Sequence, residues 1–128
     1  MRALVVDDDP VVRCVVARLL AQAGYDVRSC CDGEEAWQVQ TEFCASLIVS
    51  DWMMPVTDGL QLCSRIRSAG GEAVYFLLIS SNLGAPQRKQ EALEAGVDDL
   101  LEKSVLADGL AEHLRRAELA ILHHGGDN

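Results

Sequence analysis

Hydrophobic residues along the 128-residue chain fall into two kinds of segment, which alternate five times. Short, continuous apolar runs are typical of strands buried on both faces of a sheet. Such runs predict strands at residues 3–6, 25–30, 46–50, 73–79 and 97–101. Between them, apolar residues recur at helical spacing, which predicts helices at about residues 10–23, 32–43, 58–68, 86–95 and 104–124.

The alternation of strand and helix predicts one α/β domain, with a parallel sheet between two layers of helices. Crossovers between parallel strands are right-handed and the chain is too short for an eightfold barrel, so we expect a doubly wound sheet. The predicted fold is a (βα)5, flavodoxin-like three-layer sandwich with five parallel strands in the order 2-1-3-4-5. We assign residues 1–124 to this domain, and residues 125–128 to a tail or to the start of a linker toward an absent output domain.

Polar residues at the predicted helix starts indicate where the helices begin. We interpret Asp9 and Asp58 as the N-caps of the first and third helices, because a carboxylate there accepts hydrogen bonds from unpaired backbone N–H groups. Asp32 and Glu35 have the spacing of a capping box, in which side chains and backbone bond reciprocally. Ser104 is predicted to cap the last helix.

Composition excludes several classes of function. The chain carries 11 Lys and Arg against 20 Asp and Glu, a formal net charge of -9. This charge repels phosphate backbones, so it argues against direct binding of nucleic acid and favours a basic protein partner or a cation. No apolar run approaches the roughly 20 residues that cross a bilayer, so we expect no membrane partner.

The sulfur-containing and histidine side chains are interpreted as structural or solvated. The odd number of cysteines, the lack of a C-x-x-C pair and the lack of a signal peptide indicate reduced thiols in a cytoplasmic protein, which we expect to fill the core. These cysteines are Cys14, Cys30, Cys31, Cys44 and Cys63. We predict packing roles for the side chains of Met53 and Met54. The histidines of the last helix are predicted to be solvated; they are His113, His123 and His124.

Polar residues follow four of the five predicted strands. In chain order they are Asp7, Asp8 and Asp9 after the first strand, Asp51 after the third, Ser80 after the fourth and Lys103 after the fifth. The carboxyl ends of parallel strands meet at one edge of a sheet, which is where open α/β sheets bind ligands. We therefore expect these side chains to converge in one cleft.

The chemistry of this set favours a phosphoryl group and a divalent cation. Clustered carboxylates raise one another's pKa, and a hard cation such as Mg²⁺ relieves the repulsion. Lys103 can pair with a phosphate oxygen and Ser80 can donate a hydrogen bond to another. A carboxylate can also serve as the nucleophile and form an acyl phosphate, and Asp51, alone at the end of the central strand, is the candidate.

These residues, together with D-W-M-M-P-V-T-D-G at positions 51–59, resemble the receiver domain of two-component response regulators. The resemblance implies transfer of a phosphoryl group to Asp51 from a histidine kinase or a histidine phosphotransfer protein, with Mg²⁺ required. It implies that the metal is held by Asp8, Asp51 and the backbone carbonyl of Met53, with Asp7 acting mostly through water. It further implies an output domain or downstream effector as partner, is compatible with a homodimer, and predicts a cytoplasmic phosphoacceptor rather than an enzyme.

Two positions depart from the family pattern. Ser104 follows Lys103 where the family usually has a proline after a cis peptide bond, so we predict a trans bond, because a cis non-proline bond costs about 3–4 kcal/mol. Leu100 stands where the family usually has Tyr or Phe, which changes how phosphorylation would be read out.

Three other functions compete with this interpretation. A receiver-like interaction module that is never phosphorylated remains an alternative because of Leu100 and Ser104. A magnesium-dependent phosphatase with an aspartate nucleophile would need a second acid two residues after Asp51, where Met53 stands. A nucleotide-binding protein would need G-x-x-x-x-G-K-[ST] or G-x-G-x-x-G, and neither motif occurs.

Overall fold

A computed structural model describes residues 1–54, 56–81 and 86–126, with side chains through residue 123. Strands and helices alternate as predicted, and their bounds differ from the sequence-based ones by a few residues. The elements are β1 (Arg2–Val6), α1 (Pro10–Gln22), β2 (Asp26–Cys30), α2 (Gly33–Phe43), β3 (Leu47–Asp51), α3 (Gly59–Ser68), β4 (Tyr75–Ser80), α4 (Pro86–Ala95), β5 (Asp99–Glu102) and α5 (Leu106–Gly126). Among these described residues, no helix is both long and apolar enough to span a bilayer.

The five strands form one parallel sheet in the order β2-β1-β3-β4-β5, which confirms the predicted doubly wound topology. Successive side chains of a strand point to opposite faces, so each strand contributes to two cores. Leu4, Ile48 and Leu78 pack against α2, α3 and α4, whereas Val5 and Val49 pack against α1 and α5. Burial on both faces explains why the strand sequences are apolar throughout rather than alternating.

The predicted caps of α1 and α3 are confirmed. Asp9 accepts a hydrogen bond from the backbone N–H of Val11 at 2.9 Å. At α3, Asp58 accepts from the backbone N–H of Gln61, and the Gln61 side chain accepts in return from the backbone N–H of Asp58, both at 2.9 Å. The third helix therefore has a complete capping box, which fixes where the chain enters α3 after the β3 loop.

Two other cap predictions need correction. Asp32 accepts from the backbone N–H of Glu35 at 2.7 Å, but the Glu35 carboxylate contacts the backbone N–H of Cys31 at 3.5 Å, so the predicted reciprocal box is half formed. The prediction for Ser104 is wrong. Ser104 lies inside a 3₁₀ turn, Lys103–Val105, that precedes α5, and its hydroxyl instead contacts the Glu102 carboxylate at 3.4 Å.

The predicted core role of the cysteines is correct for Cys30 and Cys63 alone. Both are buried, whereas the other three are exposed; these are Cys14, Cys31 and Cys44. Cys44 is exposed because it ends α2 in the left-handed conformation, with φ of 54°, rather than facing the sheet. The pKa of the Cys30 thiol is raised to about 12, chiefly by burial, so this thiol is a poor nucleophile.

The prediction that His113 is solvated is wrong. Its Nδ1 lies 2.6 Å from Asp99 Oδ2, with side-chain exposures of 15% and 16%. Arg116 Nη1 approaches the same Asp99 oxygen at 3.5 Å. These contacts tie the middle of α5 to the start of β5. His123, by contrast, is exposed as predicted.

Candidate functional site

The carboxyl ends of β1 and β3 bring three aspartates together. Asp51 is the last residue of β3 and is 4% exposed, and Asp7, just beyond β1, is 2% exposed. Val6 and Ser50 are register partners, so the next residues of the two strands are neighbours. Carboxylate oxygens of Asp7, Asp8 and Asp51 lie within 4.8 Å of one another. The predicted convergence is therefore confirmed for Asp7, Asp8 and Asp51, whereas Asp9 caps α1 instead.

Lys103 supplies the positive charge at this cluster. Its Nζ lies 3.1 Å from Asp51 Oδ2 and 3.5 Å from Asp7 Oδ2. No cis peptide bond occurs in the described part of the chain, so the predicted trans bond from Lys103 to Ser104 is confirmed. β5 is separated from β3 by β4, and the lysine side chain therefore extends across the carboxyl end of β4 to reach Asp51.

Ser80 completes the group as the last residue of β4. It is 2% exposed, and it follows Ile79, the register partner of Asp51. The sheet thus places its hydroxyl on the strand between the nucleophile candidate and the lysine. All the side chains that the sequence predicted for the site stand at one edge of the sheet.

Burial and mutual repulsion shape the ionisation of this cluster. Burial raises the pKa of Asp51, the Lys103 ammonium lowers it and the Asp8 carboxylate raises it, and the net pKa lies above the ordinary carboxyl value. Burial likewise raises the pKa of Asp7, against a hydrogen bond from the backbone of Asp9, and Asp51 raises it further. Burial alone would lower the pKa of Lys103, but Asp51 and then Asp7 outweigh it and raise the pKa.

One buried oxygen of Asp7 shows that the donor set suits a cation. Asp7 Oδ1 accepts from the backbone N–H of Asp9 at 2.9 Å. Asp7 Oδ2 is buried and accepts no hydrogen bond from any described residue, and the Lys103 ammonium at 3.5 Å is its ion-pair partner. A buried carboxylate oxygen that accepts no hydrogen bond, beside two further carboxylates, is unfavourable unless positive charge lies close to it. Three hard oxygen donors of this kind fit Mg²⁺.

The loop after Asp51 is held against the sheet by its backbone. The N–H of Trp52 donates to the carbonyl of Ile79 at 2.8 Å, and the N–H of Gly59 donates to the carbonyl of Trp52 at 2.9 Å. A Cβ at Gly59 would lie 2.5 Å from the Asp51 carbonyl oxygen, so only glycine fits there. The motif D-G therefore serves two purposes, an α3 cap at Asp58 and a close approach at Gly59.

The methionines of this loop differ in exposure. Met54 is 9% exposed and joins the core, as predicted. Met53 is 62% exposed, so the predicted packing role of its side chain is wrong: the side chain faces solvent, two residues after Asp51. Pro55, in the motif at positions 51–59, and Asn82, two residues after Ser80, lie outside the described residues.

Two arginines near the site were missed by the sequence-based prediction. Arg13 Nη1 donates to the backbone carbonyl of Asp7 at 2.7 Å. The guanidinium of Arg88, on α4, lies 5.2 Å from the ring centroid of Trp52, the residue that follows Asp51. Neither contact has a sequence signal, because Arg13 bonds a backbone group and Arg88 meets a residue from another element.

Similarity to known proteins extends over most of the chain. Residues 3–115 match the family model described as the response regulator receiver domain. The chain is 36% identical over 106 residues to a gliding motility regulatory protein of Myxococcus xanthus, covering 83% of this chain and 14% of that protein. It is 33% identical over 119 residues to response regulator RppA of Synechocystis sp., covering 90% of this chain and 49% of that protein. The chain spans about half or less of the length of these curated relatives.

A solved structure has the same architecture. The chemotaxis protein CheY4 of Vibrio cholerae is similar with a TM-score of 0.84 and 29% sequence identity, covering 91% of this chain and 97% of that chain. The shared fold and the family match extend over the strands that carry the acidic cluster, Ser80 and the start of α5. This chain therefore belongs to the response regulator receiver domain family, the phosphoacceptor switches of two-component systems.

Proposed function

We propose that Asp51 accepts a phosphoryl group from a phosphohistidine in a Mg²⁺-dependent reaction, and that the chain relays the signal by a change of conformation. One observation carries this proposal: Lys103 Nζ lies 3.1 Å from Asp51 Oδ2, at the edge where the Asp7 and Asp8 carboxylates converge. A nucleophile, a countercharge for the phosphoryl oxygens and a donor set for a cation are thus present together.

The chemistry follows from the positions of these groups. An Asp51 carboxylate oxygen attacks phosphorus, the P–N bond of the donor breaks, and its electron pair stays on the imidazole nitrogen, which takes a proton from solvent. Lys103 would move from the Asp51 carboxylate to a phosphoryl oxygen, and the Ser80 hydroxyl would donate to another. Asp8, Asp51 and the Met53 carbonyl would hold Mg²⁺, with Asp7 acting through water. The bound ion supplies charge that offsets the developing negative charge on the phosphoryl oxygens.

The proposed partners follow from the family and from the charge of the chain. Receiver domains interact with histidine kinases and with output domains, so a histidine kinase or histidine phosphotransfer protein would be the donor and an output domain or effector the recipient. The net charge of -9 favours a protein effector over direct contact with nucleic acid. A homodimer is compatible with this function. We expect the reaction to take place in the cytoplasm, and the chain to act as a phosphoacceptor without a separate substrate to turn over.

Intact mass spectrometry tests the proposal directly. We expect incubation with Mg²⁺ and acetyl phosphate to add the mass of one phosphoryl group to the wild type and none to Asp51→Asn. Asp26→Asn, an exposed acid at the opposite end of the sheet, is the matched control and should react normally. Lys103→Ala should react more slowly, whereas Lys89→Ala, an exposed lysine on α4, should not.

The outcomes separate the alternatives. Phosphorylation of Asp51→Asn at the wild-type rate would show that another residue is the acceptor. A wild type that gains no mass, from acetyl phosphate or from a phosphorylated histidine donor, would favour the interaction module that is never phosphorylated.

A further inference from the structure

Arg13 makes a contact with the acidic edge that the reaction above does not use. The side chain lies on α1, one turn into the helix, and is partly buried. Its Nη1 donates to the carbonyl oxygen of Asp7 at 2.7 Å. This carbonyl lies beyond Val6, the last residue of β1, where the sheet offers no further partner for it. Arg13 thus satisfies a backbone acceptor that the end of the strand leaves unpaired.

The contact completes a three-point attachment of Asp7. The backbone N–H of Asp7 donates to the carbonyl of Cys30 at 3.1 Å. Asp7 Oδ1 accepts from the backbone of Asp9 at 2.9 Å, and the carbonyl accepts from Arg13. The peptide units before and after are therefore held through the N–H groups of Asp7 and Asp9, and Arg13 holds the carbonyl of the Asp7–Asp8 unit between them. The orientation of this middle unit determines where the Asp8 side chain starts. Asp7 Oδ2 is the atom left to face Lys103 and the cluster.

We propose that Arg13 is a positioning residue for the cation site of Asp7, Asp8 and Asp51. Its hydrogen bond holds the Asp7–Asp8 peptide in the orientation that brings the three carboxylates within 4.8 Å of one another. Without it, the turn after β1 could rotate and the Asp8 carboxylate would move away from the other two. This inference rests on the proposed Mg²⁺ site.

The two ways in which Arg13 could affect Mg²⁺ binding have opposite signs. As a positive charge, the guanidinium repels a cation, so its removal by itself would tighten Mg²⁺ binding. As a hydrogen-bond donor, it holds the ligands in place, so its removal would weaken Mg²⁺ binding. The direction of the change in Kd therefore distinguishes positioning from charge, and a general loss of stability would produce neither change in a protein that stays folded.

The experiment is a Mg²⁺ titration followed by tryptophan fluorescence. Trp52 adjoins Asp51, and Trp37→Phe removes the other tryptophan, so the signal comes from the site. In this background, Arg13→Met should raise the Kd for Mg²⁺ about three- to tenfold, which corresponds to about 0.7–1.4 kcal/mol. Arg18→Met, which removes an exposed positive charge from the same helix, is the matched control and should leave the Kd unchanged or slightly lower.

The possible outcomes test the positioning role of Arg13 and the proposed Mg²⁺ site separately. If Arg13→Met binds Mg²⁺ as tightly as Arg18→Met, or more tightly, the positioning role is wrong. If the wild type shows no response to millimolar Mg²⁺, the proposed metal site fails and this inference fails with it. Thermal melts without Mg²⁺ show which variants are folded. If Arg13→Met does not fold, Arg13→Gln is tested instead, because its shorter amide side chain keeps a donor but cannot reach the Asp7 carbonyl. A raised Kd for Mg²⁺ in this variant supports the proposal. A wild-type Kd overturns it.

Discussion

At the scale of single residues, Gly59 lies where the start of α3 packs against the backbone of Asp51. It begins α3, and a Cβ there would lie 2.5 Å from the Asp51 carbonyl oxygen and 2.6 Å from Leu78 Cδ1. The first of these atoms is backbone, which cannot move without shifting the end of β3. A glycine is needed because two chain segments touch, and no positive φ is involved.

We predict that Gly59→Ala destabilises the protein and disturbs Asp51. Alanine is favoured over glycine in a helix by about 1 kcal/mol, but overpacking of a buried contact costs about 1–3 kcal/mol, so a net loss of up to about 2 kcal/mol is expected. Urea denaturation measures this loss in the free energy of unfolding. Gly109→Ala in α5 is the comparison, because its Cβ would meet a Leu101 methyl at 3.1 Å, which can shift, and its change should stay within about 1 kcal/mol. Equal losses at both positions would contradict this account.

Met53 bears on the lifetime of the phosphorylated state. Hydrolysis needs a water in line with the bond to Asp51, and the outward-turned Met53 cannot orient a water by hydrogen bonding. We predict that Met53→Asn shortens the phosphorylated lifetime about tenfold, which takes only about 1.4 kcal/mol. Intact mass after removal of the phosphodonor, at constant Mg²⁺, follows the decay. Met53→Leu likewise lacks a group that can orient a water and should decay like the wild type. Decay of Met53→Asn at that same rate would exclude control of the attacking water at this position.

At the scale of elements, Arg67 links α3 to the starts of two strands, β4 and β5. Its guanidinium donates to the carbonyls of Gly71, Val74 and Gly96 at 2.6–3.1 Å, and to Asp98 Oδ2 at 2.7 Å. Asp98 Oδ2 also accepts from the backbone N–H of Phe76. One side chain thus joins the end of α3, the start of β4 and the start of β5.

We predict that Arg67→Met lowers the free energy of unfolding by about 2–4 kcal/mol. The variant keeps the length of the side chain but leaves several partly buried acceptors without a donor, each of which costs about 1–3 kcal/mol before water compensates. Arg65→Met is the matched control two residues earlier. Arg65 pairs with Glu34 at 2.9 Å, but both side chains are more than 40% exposed, so its loss should cost less than about 1 kcal/mol. Chemical denaturation measures the free energy of unfolding of both variants, and similar losses would contradict the proposed role of Arg67 in linking these elements.

At the scale of the whole molecule, the acidic cluster couples stability to pH. The pKa values of Asp7 and Asp51 are raised in the folded protein above the unfolded value of about 4. The folded state therefore binds more protons than the unfolded chain between that value and the raised ones. The contribution of these groups to stability is greatest at the acid end of this range and is lost as pH rises through the folded pKa values.

We predict that Asp51→Asn is more stable than the metal-free wild type at neutral pH, because the neutral amide removes a buried carboxylate. The difference should be largest at neutral pH and should shrink as the pH falls toward about 4, because the carboxyl of the folded wild type becomes protonated above that value. Thermal melts across this range with EDTA present measure it. Asp26→Asn, exposed at the start of β2, should show no such trend. A stability difference independent of pH would contradict the raised pKa of Asp51.

Mg²⁺ should reverse the dependence of wild-type stability on pH. Binding to the folded state alone stabilises by mass action, so millimolar Mg²⁺ is expected to raise the melting temperature of the wild type by several degrees at neutral pH. The shift should fall in acid, where protons compete for the carboxylates, and Asp8→Asn should reduce it at all pH values. An unchanged wild-type melt would remove the metal site from the proposal.

The amino-acid sequence by itself determined the order of the elements and the edge at which the site lies. Helical and strand periodicities are local properties, so the α/β alternation can be predicted from the chain without knowledge of contacts. Parallel strands share one carboxyl edge, and the residues after β1, β3 and β5 are therefore brought together once the topology is known. That geometry is why the sequence predicts Asp7, Asp51 and Lys103 at one site.

Tertiary structure alone decided which contacts hold the site and the surrounding elements in place. Arg13 on the Asp7 carbonyl, His113 on Asp99 and Arg67 on Asp98 have no motif, because backbone acceptors are not encoded by residue type and the last two pairs are 14 and 31 residues apart. The same reason underlies the wrong predictions. Whether Met53 packs or faces solvent depends on what surrounds a loop, and residue type fixes chemistry but not surroundings.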